Sequence, residues 1–195
     1  MDVALPIASV IPSLDGPVLA ALSTTTAPLT LTRAHRLAGR GSLQGVRRVL
    51  HRLVETGLVL EVPGGFVLNR DHLAAPAIAQ LASLHGELAQ RVRATVGAWP
   101  GKLVLVGLFG SAARRDGAEG SDIDVLLVSD DQDAPAFADE LADRIRRWTG
   151  NSAQVIALSR AELSRLRRAR APIVQSWQSD VVVIAGDKAV LTGKR

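Results

Sequence analysis

The stretch from Leu103 to Val128, LVLVGLFGSAARRDGAEGSDIDVLLV, decides the fold of the second half of the chain. Two apolar runs within it, 103–109 and 123–128, have the length and composition of strands. They enclose a polar segment that begins with Gly110-Ser111. The pattern predicts a strand, a turn with a short helix, and a second strand.

Two acidic residues, Asp122 and Asp124, stand where the second strand begins. Side chains alternate along a strand, so both carboxylates are expected on one face, where they would share a cation. Gly110 and Ser111 follow the first strand directly. A phosphate would approach the backbone there and accept hydrogen bonds from the hydroxyl and the helix start. The pattern predicts phosphate and divalent metal in one cleft; the alternative is a polar loop with two solvated aspartates.

This combination of motifs resembles the signature of the nucleotidyltransferase superfamily that includes DNA polymerase beta. It is most similar to the small prokaryotic members called minimal nucleotidyltransferases. The resemblance is carried by Gly110-Ser111, Arg114 and Ser121-Asp122-Ile123-Asp124, and it extends over roughly the last half of the chain. It implies an α/β (α+β) domain in which a mixed sheet carries helices on one side, with Ser111 and both aspartates lining one cleft.

The resemblance also assigns roles. It implies that Asp122 and Asp124 are catalytic and hold Mg²⁺ or Mn²⁺, and that the nucleotide is bound by Gly110, Ser111, Arg114 and Ser121. The family's third metal carboxylate comes from the following core strand, and the aligned position is Gln154. A neutral amide does not replace the lost charge, so the resemblance leaves activation of a nucleophile in question.

The remaining second half continues the α/β pattern, with a helix from Pro135 to Trp148, a strand at 153–158 and a further strand at 181–185. Ser159, followed by Glu162 three residues later, predicts a capping box between those strands. The helix after Ser159 carries a cluster of arginines. Its basic face is either solvated or in contact with a polyanion; the arginines are Arg160, Arg165, Arg167, Arg168 and Arg170.

The first half has the element order of a winged helix-turn-helix. A helix near Asp15, a brief helix capped by Thr32 and a helix over 42–56 capped by Ser42 precede a hairpin at 58–68. The third helix exposes a polar and basic face, predicted to bind DNA through Gln44, Arg47, Arg48, His51 and Arg52. The alternative is a small accessory domain with a solvated helix. The order is similar to winged helices fused to nucleotidyltransferases in actinobacterial and archaeal proteins.

We therefore predict two domains. Residues 1–75 form the winged helix-turn-helix domain, with an arm over the first 12 residues; residues 76–99 form a linking helix, and residues 100–195 form the nucleotidyltransferase domain. Winged-helix proteins commonly pair, so a homodimer is a further expectation.

The composition of the 195-residue chain fits a folded protein in the cytoplasm. Hydrophobic residues make up 47% of the chain, the net charge is +4, and cysteine is absent, which excludes disulfides. No apolar run is long enough to predict a membrane span. The leading hypothesis is a magnesium-dependent transferase of nucleoside monophosphates from an NTP to an unidentified acceptor, such as a protein or an RNA. The alternative is a DNA-binding transcriptional regulator or antitoxin-like protein with a weakened or inactive transferase domain.

Overall fold

The chain forms two compact units in a computed structural model that describes residues 1–114, 116 and 120–193. One unit is Leu5–His85, and the other is Met1–Ala4 together with Gly86–Arg195. Among the described residues, no helix combines the length and the apolarity that a bilayer span requires.

The unit of residues 5–85 contains helices, a two-stranded antiparallel hairpin and a short 3-10 helix at Pro6–Ser9. The helices are α1 (Asp15–Ser23), α2 (Leu31–Ala38), α3 (Leu43–Glu55) and α4 (Ala75–Ala82), and the strands are β1 (Val59–Val62) and β2 (Gly65–Leu68). The predicted hairpin is confirmed, with its turn at Pro63-Gly64. The core of this unit includes Ile7, Val18, Leu22, Val46, Leu50, Leu53 and Phe66.

The starts of α2 and α3 are fixed by side-chain caps. Ser42 accepts a hydrogen bond from the Gly45 N–H at 3.1 Å, as predicted. The predicted Thr32 cap is wrong, because α2 already begins at Leu31 and Thr30 accepts from the Arg33 N–H. Thr30 has the extended backbone that an N-cap requires, whereas Thr32 lies inside the first turn.

The second unit is built on a four-stranded sheet with the order β5-β4-β3-β6. β4 and β5 are parallel and the other pairs antiparallel, so the predicted mixed sheet is confirmed. The elements are α5 (Leu84–Ala98), β3 (Leu103–Phe109), α6 (Gly110–Arg114), β4 (Ile123–Ser129), α7 (Ala134–Thr149), β5 (Ala153–Leu158), α8 (Arg160–Arg168), α9 (Pro172–Asp180), β6 (Val182–Gly186) and α10 (Ala189–Thr192).

Helices cover both faces of this sheet, so the expectation of helices on one side is wrong. Ile123, Val125 and Leu127 pack in the core that contains residues of α5 and α7. Leu126 and Val128 pack in a second core with residues of α8, α9 and α10. Burial on both faces requires a nearly continuous apolar run, and the sequence of β4 has one.

The region predicted as one linking helix contains two helices, α4 and α5, with Ser83 between them. The Ser83 hydroxyl donates to the Gln80 carbonyl at 2.9 Å. Its backbone φ and ψ of −94° and 2° lie outside the helical region. A serine that bonds to the preceding turn competes with the helical backbone pattern, which explains the interruption.

The first residues of the chain are packed rather than free, so the expectation of an arm is wrong. Val3 is fully buried in the core of the second unit. Ile7 is fully buried in the core of the other. The segment is too short to show a period, but its apolar residues have hydrophobic surface to bury.

Candidate nucleotide site and DNA-binding surface

The candidate site lies where β3 ends and β4 begins. The antiparallel register pairs Phe109 with Asp124, so Gly110, the next residue, lies beside the aspartate. Gly110 has a φ of +66°, and a Cβ built on it would lie 2.5 Å from Asp124 Oδ2. Both the backbone conformation and the nearness of the carboxylate favour glycine here.

The acidic pair is held close together at this point. Asp124 is half-buried, and burial raises the pKa of its carboxyl, with the negative charge of Asp122 as the second cause. Asp122 itself is exposed. A bound cation would offset both the burial and the repulsion of like charges.

Gln154 lies next to Asp124 on the parallel neighbour strand, because the register of β4 and β5 pairs the two residues. Its side chain is exposed. Within the described ranges, no group of three or more His, Cys, Asp or Glu side chains is placed to hold a metal ion. Two carboxylates completed by phosphate oxygens and water still fit Mg²⁺, which usually takes one or two carboxylates from a protein.

The helix α6 begins at Gly110 and contains Ser111 in its first turn. Ser111 is half-buried, and Ala112, its neighbour, is fully buried in the core. The buried Ala112 fixes the short helix against the sheet. Of the predicted nucleotide-binding residues, Gly110 lies against Asp124, and Ser111 follows it in the first turn of α6.

Arg114, the predicted phosphate contact, is held by two carboxylates. Its Nε donates to Asp116 Oδ2 at 2.9 Å and its Nη1 donates to Asp180 Oδ2 at 3.0 Å. These hydrogen bonds, that of Asp116 first, raise the pKa of the guanidinium further above its usual value. The sequence pattern did not indicate either carboxylate.

A buried asparagine supports the start of β4. Asn151 is 2% exposed, and its Nδ2 donates to the Ser121 carbonyl at 2.9 Å. The neighbouring Ser152 carbonyl accepts from the Ile123 N–H at 2.9 Å. Both flanks of Asp122 are thus tied to the loop before β5. The sequence pattern did not indicate this role of Asn151.

The predicted DNA-binding residues all lie on α3 and are all exposed: Gln44, Arg47, Arg48, His51 and Arg52. Val46, Val49, Leu50 and Leu53 are buried on the opposite side of the helix. The amphipathic division predicted for this helix is confirmed. Its role in binding DNA stays a prediction.

Arg52 is the most constrained member of this surface, because it forms an ion pair with Asp15. Burial alone would raise the pKa of Asp15, but hydrogen bonds from Ser13 and Arg52 lower it below its usual value. His51 contacts the ring of Phe66 edge-on, with 6.2 Å between centroids. Arg47 and Arg48 are therefore the better candidates for contacts with phosphate.

The arginine cluster after Ser159 is partly neutralised. Arg160 pairs with Asp130 at 3.1 Å, and Arg165 lies 3.9 Å from Glu162. The predicted capping box of Ser159 and Glu162 is confirmed. These contacts favour the solvated-face interpretation of α8.

The family comparison concerns the half of the chain that contains this site. Residues 89–184 match the family model of the nucleotidyltransferase domain. The match includes both strands of the site, and it supports the nucleotidyltransferase resemblance and, in general terms, NTP-dependent nucleotidyl transfer. It leaves the winged-helix assignment a prediction. No curated protein matches the chain.

Several solved structures are similar to about half of the chain. A toxin-antitoxin structure with AMP-PNP is 19% identical over 53% of this chain and 77% of that chain, with a TM-score of 0.41. The MntA-HepT toxin-antitoxin structure is 18% identical over 53% and 74%, with a TM-score of 0.37. A tri-AMPylated Shewanella oneidensis HEPN toxin in complex with MNT antitoxin is 19% identical over 54% and 75%, with a TM-score of 0.38.

Proposed function

We propose that this chain is a magnesium-dependent nucleotidyltransferase that moves a nucleoside monophosphate from an NTP to a hydroxyl of a protein or RNA acceptor. The observation that carries the proposal is the half-buried Asp124, set against Gly110 on one side and repelled by Asp122 on the other. A carboxylate pair in this state is suited to a cation. The match to the nucleotidyltransferase domain supplies the reaction class.

In the proposed reaction the acceptor hydroxyl loses its proton to water and its oxygen attacks the α-phosphorus. A P–O bond forms, and the bond to pyrophosphate breaks, so that pyrophosphate leaves. Asp122 and Asp124 would hold the metal together with the phosphates of the NTP. Bound magnesium supplies charge neutralisation and lowers the pKa of the attacking hydroxyl. Ser111 and the backbone at Gly110 would donate hydrogen bonds to phosphate oxygens, and Arg114 would neutralise part of the triphosphate charge.

Gln154 sets the expected rate. Its amide oxygen would be a neutral ligand, so the site would carry one negative charge fewer than a site with three carboxylates. We expect magnesium to bind with the help of the NTP phosphates and transfer to be slow.

The test is incubation of the full chain with each α-labelled NTP, Mg²⁺ or Mn²⁺, and cell lysate, followed by detection of a labelled macromolecule. Asp122→Asn and Asp124→Asn should each lower labelling by about 100-fold or more, since each removes a charge that positions the phosphates. Asp139→Asn removes an exposed charge on α7 and should label like the wild type. Equal labelling by all four proteins would exclude the two aspartates as the site.

A second candidate is a DNA-binding regulator in which the transferase domain binds nucleotide but transfers it weakly. It is favoured by the order α1, α2, α3, hairpin, in which Leu29 and Phe66 exchange two backbone hydrogen bonds of 2.9 Å. In a winged helix-turn-helix, the hairpin is the wing, and an extended segment before the second helix is expected to pair with it through the backbone. The exposed Arg47 and Arg48 supply the positive charge for duplex DNA.

A further inference from the structure

The helix α9, which sequence analysis did not predict, ends beside the candidate nucleotide site. Val174 and Trp177 are 3% and 1% exposed, and Trp177 packs edge-on against Phe109 with 6.0 Å between ring centroids. Phe109 immediately precedes Gly110. The core therefore fixes the last residue of α9, Asp180, relative to the end of β3.

Asp180 is the last residue of α9, a position at which a carboxylate is unfavourable. The C-terminal end of a helix carries partial negative charge, so a carboxylate there is unfavourable unless cations lie nearby. Asp180 Oδ1 accepts from Ser179 Oγ at 2.7 Å and Oδ2 accepts from Arg114 Nη1 at 3.0 Å. These two bonds, that of Ser179 first, lower the pKa of Asp180, and the charge of Lys188 adds to the effect. The contacts with Ser179 and Arg114 and the charge of Lys188 therefore offset the unfavourable position of this acid.

The two carboxylates use only part of the guanidinium. Arginine has five N–H groups, and the contacts with Asp116 and Asp180 use Nε and one N–H of Nη1. Both N–H groups of Nη2 remain for other acceptors as far as the described residues are concerned. An arginine fixed at Nε and Nη1 presents Nη2 in a defined plane, which suits phosphate oxygens.

We propose that Asp180 is a positioning residue that holds the Arg114 guanidinium ready for the triphosphate of the bound NTP. The inference rests on the proposed function, because it assumes that Arg114 meets an NTP. The opposite effect would be competition, in which the carboxylate occupies Arg114 and must be displaced. Positioning is favoured because three N–H groups of Arg114 have no acceptor among the described residues, and because Val174 and Trp177 fix the helix of Asp180 in the core.

The test compares NTP binding to the full chain, by calorimetry with Mg²⁺, in the wild type, Asp180→Asn, Arg114→Ala and the double variant. Asp180→Asn should weaken binding about 3- to 10-fold, and the double variant should bind no more weakly than Arg114→Ala alone, since Asp180 acts through Arg114. Asp180→Glu should recover part of the affinity. In transfer assays KM should rise more than kcat falls.

Asp139→Asn is the charge-matched control and should bind NTP like the wild type, and melting temperatures verify that each variant is folded. Ser179→Ala, which loosens Asp180 without removing its charge, should give a smaller effect in the same direction and serves if Asp180→Asn fails to fold. Wild-type affinity in both Asp180→Asn and Ser179→Ala, or tighter binding in either, would overturn the proposal and leave the proposed function intact. No binding of any NTP by the wild type would overturn both.

Discussion

The Asp124 site and the exposed face of α3 are both charged, but only the first confines its charges. Asp124 is half-buried between Gly110 and the like charge of Asp122, and its pKa is raised. Arg47 and Arg48 are exposed and face solvent. A confined pair of like charges is destabilising until a cation binds, whereas exposed arginines cost little and gain from any polyanion.

This difference predicts which properties a substitution should change in each of the two regions. At the Asp124 site, we expect a change of backbone conformation or charge to alter both the stability of the fold and the binding of the proposed ligands. On the α3 surface, we expect a change of charge to leave the stability unaltered and to affect only the binding of a polyanion. The predictions below follow from this difference, and each has a control that separates the two effects.

Among the predictions that separate stability from binding, the largest effect is expected for Gly110→Ala. An alanine at a φ of +66° is strained by about 1–2 kcal/mol, and its Cβ would displace the Asp124 carboxylate. We expect a lower melting temperature and at least a 10-fold loss of NTP and magnesium affinity, measured by calorimetry. Gly57→Ala is the control, because Gly57 has a φ of +74° with no atom within 4 Å of the added Cβ. It should lose stability without losing NTP affinity.

The second effect is expected for Arg47→Ala with Arg48→Ala. If these residues contact phosphates, duplex affinity should fall about 10-fold, and the slope of log K against log salt should decrease by about 1–2. The melting temperature should stay the same, since both side chains are exposed. Arg146→Ala with Arg147→Ala removes an exposed pair at the same spacing on α7. Equal affinity of the two double variants, in a fluorescence titration with promoter DNA, would contradict the placement on α3.

A smaller effect is expected for Gln154→Asp. The register places this residue beside Asp124, so the change adds a third carboxylate to the pair. Magnesium affinity and transfer rate should rise several-fold, while the protein without metal should melt at a lower temperature because the three acids repel one another. The difference in melting temperature between this variant and the wild type should therefore change sign when Mg²⁺ is added, and thermal melting with and without Mg²⁺ checks this. Gln132→Asp, an exposed position in the loop after β4, should show no such reversal.

The site could be predicted from sequence to the extent that it depends on neighbours along the chain. Gly110, Ser111, Asp122 and Asp124 lie at the ends of two consecutive strands, and their meeting follows from a single antiparallel pairing. Asn151 and Asp180 reach the site from residues distant in sequence, and no local pattern connects them with Ser121 or Arg114. Long-range hydrogen bonds of this kind leave no periodic signal.

In the fold, too, features that depend on local patterns were predicted and features that depend on long-range contacts were not. The strands, the hairpin and the capping box of Ser159 depend on short patterns and were predicted, whereas the interruption at Ser83 and the packing of Val3 were not. The presence of helices on both faces of the sheet could have been predicted from the sequence of β4. A run such as Val125 to Val128 does not alternate, and a strand with one solvated face would have alternated.

The smallest effect concerns Asp124→Asn in the absence of metal. Burial and the charge of Asp122 raise the pKa of Asp124 in the folded state, so folding favours the protonated form. That contribution is present below the pKa of the unfolded state and is lost as pH rises through the folded pKa. The asparagine resembles the protonated acid, so its advantage should be close to zero only well below the unfolded-state pKa, at about pH 2.5. It should grow to about 1–2 °C at neutral pH, since a half-exposed carboxylate is well screened. Melting curves from about pH 2.5 to 8 measure this difference, with Asp139→Asn as control. Saturating Mg²⁺ with NTP should reverse the order, because only the wild type keeps both carboxylates. An order unaffected by metal and nucleotide would mean that Asp122 and Asp124 are solvated loop residues.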